Sequence, residues 1–321
     1  MKTLRTLLLC LIIAAQPLPV QAWSEGGHHI ITVMAFRLLT DDEQAKILKI
    51  LEYHPRLNDD FSISELPESE RTFFRVGRIG YWPDVARRQP KYHRSTWHYE
   101  LGSSLTLGDK SKLPVPDAPG PLPQTATLET QDLYIAQALN LCFKSLSDPA
   151  TSPSDRAIAL CWTAHLVADS HQPCHAGSLY AEGIFEEKDG DRGANRIITK
   201  QSSNMHALWD GLLGRDYRFA DCQRRIFEIT NDQELIAKAK QSVSTQELLL
   251  PATWIDESKA LAKQFVYTDS VVGSLKASVG IDKKTPLELD EAYLKSAGRV
   301  AQQRAAEAAY RLAARWKKEL N

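Results

Sequence analysis

The stretch from His165 to His175 limits most tightly what this chain can fold into. It reads His-Leu-Val-Ala-Asp-Ser-His-Gln-Pro-Cys-His. Residues four apart share one face of a helix, so the side chains of His165 and Asp169 are expected to project together. Pro173 has no N–H to give to the carbonyl of Asp169, so the helix should kink or end there. The chain can then turn and bring His175 back to the same side.

A second His/Asp pair with the same spacing lies further along the chain. His206 and Asp210 are four residues apart, and apolar residues flank both pairs. One such pair alone is more often a surface ion pair or a satisfied core histidine. Two pairs together with His175 favour a shared metal, because buried imidazoles and carboxylates need compensating partners. Imidazole and carboxylate donors without a well-placed pair of thiolates indicate zinc with open coordination positions.

Other segments offer further candidate ligands. Asp84 ends a Tyr-Trp-Pro-Asp segment, His98 lies in Trp-His-Tyr, and His28 follows Trp23 by five residues. His171 lies off the face shared by the first pair, and we expect it to hydrogen-bond behind the ligands. The remaining three histidines are expected to be ordinary surface or core residues: His29, His54 and His93.

The first 22 residues have the pattern of a secretory signal. They begin with two basic residues, continue with an apolar run over 7–15 that is too short to span a bilayer, and close on Val-Gln-Ala. The pattern predicts cleavage after Ala22. Residues 1–22 would then be a signal peptide and residues 23–321 the mature protein, which would be secreted or periplasmic.

Helical periodicity dominates the mature chain. Apolar residues between 30 and 39 recur at helical spacing, and Thr40 to Glu43 has the pattern of a capping box that begins a second helix. Further helical patterns cover five ranges: 127–147, 153–170, 203–214, 244–268 and 286–320. Strand-like alternation is scarce, and the Pro-rich stretch 102–125 is expected to be a loop. The fold class predicted is all-α, a single-domain multi-helix bundle with long irregular loops.

The charge balance excludes one kind of nucleic-acid binder. The chain has 39 Lys and Arg against 40 Asp and Glu, so it has no excess of positive charge for a broad basic surface. Its 43% apolar and 25% charged content excludes disordered, collagen and coiled-coil chains. A metal centre would instead concentrate positive charge in a single pocket.

Four cysteines remain once the signal is removed: Cys142, Cys161, Cys174 and Cys222. An even number in an exported chain permits two disulfides, with three pairings that the sequence does not distinguish. Cys174 lies inside the candidate ligand stretch, which favours a buried thiol at that position.

Taken together, these segments resemble the S1/P1 nucleases, a family of secreted zinc enzymes. The stretch from His165 to His175 matches the family's His-x-x-x-Asp-x-His-Gln-Pro-x-His motif without a gap, and the resemblance runs from Trp23 to the last residue. It implies an all-α fold with three Zn²⁺ ions. It also implies that a metal-activated hydroxide hydrolyses single-stranded DNA or RNA, and 3′-nucleotides, to 5′-phosphate products. Ser24 and Ala194 occupy positions where the family usually has glycine. Neither residue is an implied metal ligand, so these departures affect the shape of loops near the substrate.

The resemblance also implies how three metals would be held. The implied sets are Asp84, His98, His165 and Asp169 for the first metal; His175, His206 and Asp210 for the second; and Asp169 again, with His28 and the main chain of Trp23, for the third. Asp169 would thus bridge two metals. The α-amine of Trp23 would exist as a ligand only after the signal peptide is cleaved.

The same resemblance suggests roles beyond metal binding. Asp84 and Asp169 would be catalytic through the metals, and Arg87 matches a basic position that neutralises charge in the transition state. The alternative for Arg87 is a surface cation beside Arg88. Tyr99 follows a ligand and could stack on a base of the substrate, or it could fill core space.

Two other functions compete with a nuclease. Zinc-dependent phospholipase C shares the all-α fold with three metals, but its last pair is His-x-x-x-Glu where this chain has His206 and Asp210. A non-catalytic metal-binding protein of the cell envelope would be expected to carry repeated His or Cys tracts rather than dispersed single ligands. The expected partner is single-stranded nucleic acid or a nucleotide. The sequence predicts no stable membrane association and a monomer.

Overall fold

The computed structural model describes residues 23–277 and 286–320, and helices make up most of both ranges. In chain order the α-helices are α1 (Glu25–Arg37), α2 (Asp41–Leu51), α3 (Leu57–Asp60), α4 (Glu68–Ala86), α5 (Ile135–Ser147), α6 (Pro153–Ser170), α7 (Met205–Asp210), α8 (Phe219–Thr230), α9 (Gln233–Gln241), α10 (Pro251–Leu261), α11 (Asp269–Ala277) and α12 (Glu291–Glu319). Two short strands, β1 (Ser103–Leu107) and β2 (Ser178–Ala181), pair in parallel. The predicted all-α class is confirmed.

Helix α6 lies at the centre of the fold. Ser152 caps it by accepting a hydrogen bond from the main-chain N–H of Asp155, and Pro153 occupies the first turn, where its missing N–H costs nothing. Every residue from 157 to 170 is buried, as expected for a helix with neighbours all round. Helices α4, α5 and α12 pack against it, and α1 packs against α4 and α12.

The predicted bounds of α6, 153–170, are confirmed, as is the capping box at Thr40. The Thr40 side chain accepts from the main-chain N–H of Glu43, and the Glu43 carboxylate accepts from the main-chain N–H of Thr40 at 2.9 Å. The predicted stop near Pro173 is also confirmed, because α6 ends at Ser170 and a 3-10 turn follows over Pro173–His175.

Other predicted helices have different bounds. The pattern over 127–147 becomes helical only at Ile135, that over 203–214 forms the shorter α7, and that over 286–320 becomes helical only at Glu291. The pattern over 244–268 is divided because Pro251 lacks an N–H and therefore begins a new helix. A π-helical turn, Ala262–Val266, continues α10. The stretch 102–125 is mostly loop, but it contains β1 and a 3-10 turn at Lys110–Lys112.

All four cysteines within residues 23–277 and 286–320 are buried free thiols. Cys174 packs in a smaller hydrophobic cluster with Leu179 and Trp209, whereas the other three belong to the main core. The two disulfides that the even count permits are therefore not formed, and the buried thiol expected at Cys174 is present. Burial raises the pKa of the Cys161 and Cys174 thiols well above the ordinary value, so both stay protonated.

Within residues 23–277 and 286–320, no helix has both the length and the apolar character that crossing a membrane requires.

Candidate metal centre

The eight side chains predicted as metal ligands meet in the interior of the protein. They form three groups, in each of which the potential ligand atoms lie within 4.8 Å of one another. The groups are His28, His165 and Asp169; Asp84, His98 and His165; and His175, His206 and Asp210. All eight side chains are buried. Segments that are far apart in the sequence therefore combine into one site of imidazoles and carboxylates.

Close packing of α1 against α4 brings the first two groups together. A Cβ atom added to Gly80 would lie 2.0 Å from the hydroxyl oxygen of Thr32, and one added to Gly77 would lie 2.2 Å from a ring nitrogen of His29. Only glycine fits at these two positions, so the helix backbones can approach closely. As a result His28 on α1 stacks on His165 of α6, with their ring centroids 4.2 Å apart.

Asp169 lies between the first two groups. Its Oδ1 is 3.4 Å from Nε2 of His28, while its Oδ2 is 3.1 Å from both Nδ1 of His98 and Nε2 of His165. The two oxygens thus face different groups. This arrangement is the one that a bridging carboxylate needs.

Main-chain carbonyls fix the ring orientation of three histidines. Nδ1 of His165 donates to the carbonyl of Gly80 at 2.7 Å, Nδ1 of His206 donates to that of Gly193 at 2.5 Å, and Nδ1 of His175 donates to that of His98. A carbonyl only accepts, so each Nδ1 holds the proton and each Nε2 of the neutral ring presents a lone pair. The Nε2 atoms of His175 and His206 are 3.0 Å apart. Two lone pairs at that distance repel unless a cation lies beside them.

Buried atoms without partners mark the same place. Among the described residues, no hydrogen-bond partner is found for either ring nitrogen of His28, Oδ2 of Asp84, Nε2 of His98 or Oδ1 of Asp169, whereas Oδ1 of Asp84 forms an ion pair with Arg87. Leaving a buried polar atom unsatisfied costs about 1–3 kcal/mol, and more for a charged one. These donors and acceptors are the atoms that coordination would satisfy, so the residues present fit a metal centre.

The pKa values of the buried carboxyl groups also indicate that the site needs positive charge. Desolvation raises the pKa of Asp169 to about 6, although the nearby His165 acts in the opposite direction. Desolvation also raises the pKa of Asp210 well above its usual range. Burial lowers the pKa of His28 and His175 well below the ordinary value, which keeps these rings neutral as metal ligands must be. A bound cation would return both carboxyl groups to the charged form.

Gln172 is a residue of the site that the spacing argument did not single out. It is fully buried, and its Nε2 donates to Oδ1 of Asp210 at 2.6 Å. Its Oε1 accepts from the main-chain N–H of Cys174 at 2.5 Å. The side chain therefore fixes one oxygen of Asp210, while the other oxygen lies 3.5 Å from Nε2 of His206.

A loop with left-handed backbone supports His206 from the other side. Arg192 and Ala194 have φ of 58° and 67°, and Gly193 between them has φ of 58°. A Cβ atom on Gly193 would lie 2.2 Å from the carbonyl oxygen of Cys174. The family glycine that Ala194 replaces is thus at a position where glycine is the least strained residue. The loop aims the carbonyl of Gly193 at His206.

Asp191 anchors that loop and was also missed by sequence reasoning. Its fully buried carboxylate accepts from the main-chain N–H of Leu179 at 2.9 Å and from the hydroxyl of Tyr267 at 2.9 Å. Desolvation raises its pKa to about 6.

The structure also places the predicted residues that are not side-chain ligands. Nε of Arg87 lies 2.6 Å from Oδ1 of Asp84, and the side chain is only 12% exposed, so Arg87 points into the site while Arg88 is exposed. Tyr99 is 38% exposed and meets the ring of Tyr134 edge-on, so it does not fill the core.

Trp23 is fully buried and contacts the last turn of α6. Its indole N–H donates to the carbonyl of Ala168 at 3.0 Å, one residue before Asp169. The main-chain N–H of Ser24 donates to the carbonyl of Asp210 at 3.0 Å. The segment at Trp23 and Ser24 therefore lies next to two of the predicted ligands, Asp169 and Asp210. His29 and His54 are core residues and His93 is half-buried, as expected.

Comparison with known proteins agrees with this geometry. The model of the S1/P1 nuclease family matches residues 23–320. Endonuclease 3 of Arabidopsis thaliana is 22% identical over 264 residues, which cover 78% of this chain and 78% of that protein. The family match extends over the full set of segments that form the three ligand groups. The chain thus belongs to the S1/P1 nuclease family, and it is a hydrolase that acts on phosphodiester bonds.

Proposed function

We propose that this protein is a zinc-dependent endonuclease for single-stranded DNA or RNA, and for 3′-nucleotides, with 5′-phosphate products. The observation that carries the proposal is the convergence of eight buried imidazole and carboxylate side chains into three groups. Mixed nitrogen and oxygen donors without thiolates suit zinc, and three protein ligands leave coordination positions open for substrate.

Three Zn²⁺ ions would be held by the ligand sets that the family resemblance implies. The proposed sets are Asp84, His98, His165 and Asp169; His175, His206 and Asp210; and Asp169 with His28 and the main chain of Trp23. When bound, zinc supplies Lewis acidity toward a phosphate and lowers the pKa of the attacking water. The spread of Asp169 oxygens between two groups supports its role as the bridging ligand.

The remaining side chains bind and orient the phosphodiester. Arg87 is held against Asp84 at 2.6 Å, where its guanidinium can neutralise charge that develops on the phosphate. Tyr99, exposed beside the ligand His98, offers a ring face for an unpaired base. Stacking of this kind needs a base that is free of its partner strand, which supports a preference for single strands.

Substitution of Asp169 by Asn tests the metal centre directly. Asp169→Asn preserves the shape of the side chain but removes the charge that would bridge two ions. We expect zinc content to fall and hydrolysis to drop by more than the 10–100-fold that is typical of changes just outside the ligands. Asp155→Asn, at an exposed position on the same helix, is the matched control. Normal zinc content and normal nuclease rates in Asp169→Asn would exclude the proposed bridging role.

A substrate comparison separates the three candidate functions. Zinc-loaded protein is given single-stranded DNA in one reaction and phosphatidylcholine in another, each with and without a chelator. Chelator-sensitive release of 5′-mononucleotides supports the nuclease. Release of the lipid head group alone would identify a phospholipase C, and hydrolysis of neither would indicate a non-catalytic metal-binding protein.

We also infer that the protein is exported as a single-domain monomer, with residues 1–22 removed. The buried position of Trp23 against α6 supports a role for its main chain at the third metal. Protein that retains extra residues before Trp23 would lack the free α-amine, and we expect it to bind less zinc than protein that begins at Trp23. Equal zinc content in the two forms would contradict this inference.

A further inference from the structure

Five residues separate the predicted ligands Asp169 and His175: Ser170 ends α6, His171 and Gln172 link α6 to the 3-10 turn, and Pro173 and Cys174 belong to that turn. We call Ser170, His171 and Gln172 the ligand turn. All three residues are fully buried. The conformation of this turn therefore sets the relative positions of Asp169, which precedes it, and His175, which follows it.

Helices α10 and α12 hold the ligand turn from behind. The hydroxyl of Ser258 donates to the carbonyl of Ser170 at 2.7 Å. Nε of Arg304 donates to the carbonyl of His171 at 3.4 Å, and Nη1 of Arg311 donates to Nε2 of His171 at 2.9 Å. We call Ser258, Arg304 and Arg311 the support residues.

The hydrogen bonds of His171 fix its ring in one orientation. Its Nδ1 donates to the carbonyl of Val167 at 2.7 Å, so its Nε2 must accept. Arg311 is a donor only, which makes it the matching partner. The neutral ring thus joins the last turn of α6 to the side chain of Arg311. His171, which we expected to hydrogen-bond behind the ligands, is therefore linked to α12.

The two arginines among the support residues keep their geometry because their charges are paired. Nη1 and Nη2 of Arg311 each lie 2.6 Å from an oxygen of Glu257, and Nη1 of Arg304 is 2.8 Å from Glu257 and 2.5 Å from Glu307. Arg304 and Arg311 are 2% and 1% exposed. A buried guanidinium is costly unless it is paired in good geometry, and a fork-to-fork pair with a carboxylate provides that geometry.

We propose that Arg311, with Ser258 and Arg304, is a positioning residue for the metal centre. It acts through His171 on the ligand turn, and the turn fixes the relative places of Asp169 and His175. Gln172 extends the effect to Asp210, because the same turn carries the amide that holds that carboxylate. The inference rests on the proposed metal ligands. It assigns a role in metal affinity to α12, which is distant in sequence from every predicted ligand.

The test compares two arginines of one helix. Arg311→Met removes the bond to His171, whereas Arg315→Met removes another buried arginine of the same helix, 8% exposed against 1%, that pairs with Glu319 at 2.6 Å. Zinc affinity is measured by competition with a chromophoric chelator, at a temperature where circular dichroism shows both variants to be folded. We expect about 10–100-fold weaker zinc binding for Arg311→Met and a change within about twofold for Arg315→Met.

A milder pair of variants covers the case in which Arg311→Met does not fold. Ser258→Ala removes only the hydroxyl that binds the ligand turn, and Ser145→Ala removes a hydroxyl that donates to a carbonyl within α5. Weaker zinc binding by Ser258→Ala than by Ser145→Ala supports the proposal. Wild-type affinity in folded Arg311→Met and in Ser258→Ala overturns it, even if Asp169→Asn has lost zinc. Absence of zinc from the wild-type protein would instead overturn the proposed function on which it rests.

Discussion

Three histidines of the candidate centre are oriented by a main-chain carbonyl that accepts from Nδ1. Nδ1 of His175 binds the carbonyl of His98, so the main chain of one predicted ligand fixes the ring of another. Gly80 and Gly193 provide the carbonyls for His165 and His206. Main-chain acceptors are not altered by substitution of their own side chains. The orientation of these rings therefore depends on the fold of the chain more than on any single neighbouring side chain.

Adjacent arginines at the end of α4 provide a test of charge placement. Arg87 points to Asp84 in the site, whereas Arg88 is exposed. We expect Arg87→Met to lower kcat/KM on single-stranded DNA by about 100-fold, as loss of one electrostatic donor to a transition state does. Arg88→Met should change it by no more than about twofold. Steady-state kinetics of both variants decide the matter, and equal effects would show that Arg87 has no specific role in stabilising the transition state.

The sequence predicts the candidate ligands, which the structure brings together, but it does not predict the residues that hold them in place. His165 and Asp169 are four residues apart, so their common face follows from helix geometry alone. Gln172 is hydrogen-bonded to Asp210, which lies 38 residues later in the chain, and His171 to Arg311, which lies 140 residues later. No local spacing connects such pairs. They emerge only when the helices are packed.

The loop from Gly190 to Ala194 stores strain beside the centre. Arg192 has φ of 58°, a conformation that costs a residue with a Cβ about 1–2 kcal/mol. Glycine there relieves this cost but loses about 0.5–1 kcal/mol in chain entropy. Arg192→Gly should therefore raise the free energy of unfolding by about 0.5–1 kcal/mol in urea denaturation. Lys188→Gly, exposed in the same loop region and without positive φ, should lower it; a loss of stability in both variants would contradict the strain argument.

The contact between α10 and α12 should weaken in acid. Partial burial raises the pKa of Glu257, but hydrogen bonds and charge from Arg311 and Arg304 outweigh it and hold the pKa below its ordinary 4.5. A carboxyl group whose pKa is lowered by folding stabilises the fold fully above about 4.5, and this stabilisation is lost as the pH falls through the lower value. Urea denaturation should show the advantage of wild type over Glu257→Gln shrinking as the pH falls from 7 to 3. A difference independent of pH would contradict this linkage.

Helices with clear local determinants were predictable, and those that depend on packing were not. Ser152 and Pro153 define the start of α6, and its predicted bounds are confirmed. Helix α4 was not predicted, because Pro83 within it argues against a helix in a local analysis. The structure accommodates Pro83 in the last turn, where only three more helical residues follow.

The predicted ligands come from residues 23 to 210, so bound metal would link most of the fold. A metal that binds only the folded chain stabilises it by about 4 kcal/mol at 1,000 times its Kd. We therefore expect excess chelator to lower the Tm of zinc-loaded protein by roughly 10 °C in a thermal melt. Asp210→Asn should show a smaller difference with and without chelator than wild type. An unchanged Tm after verified removal of zinc would show that the metals do not stabilise the fold.

The four buried thiols within residues 23–277 make opening of the molecule measurable by alkylation. Each is buried, so a thiol reagent can reach it only when the surrounding packing opens. Cys174 reports on the smaller hydrophobic cluster beside the ligand turn, while Cys142 and Cys161 report on the main core. The order in which the thiols are alkylated would therefore show whether the metal centre opens before the helical core or together with it.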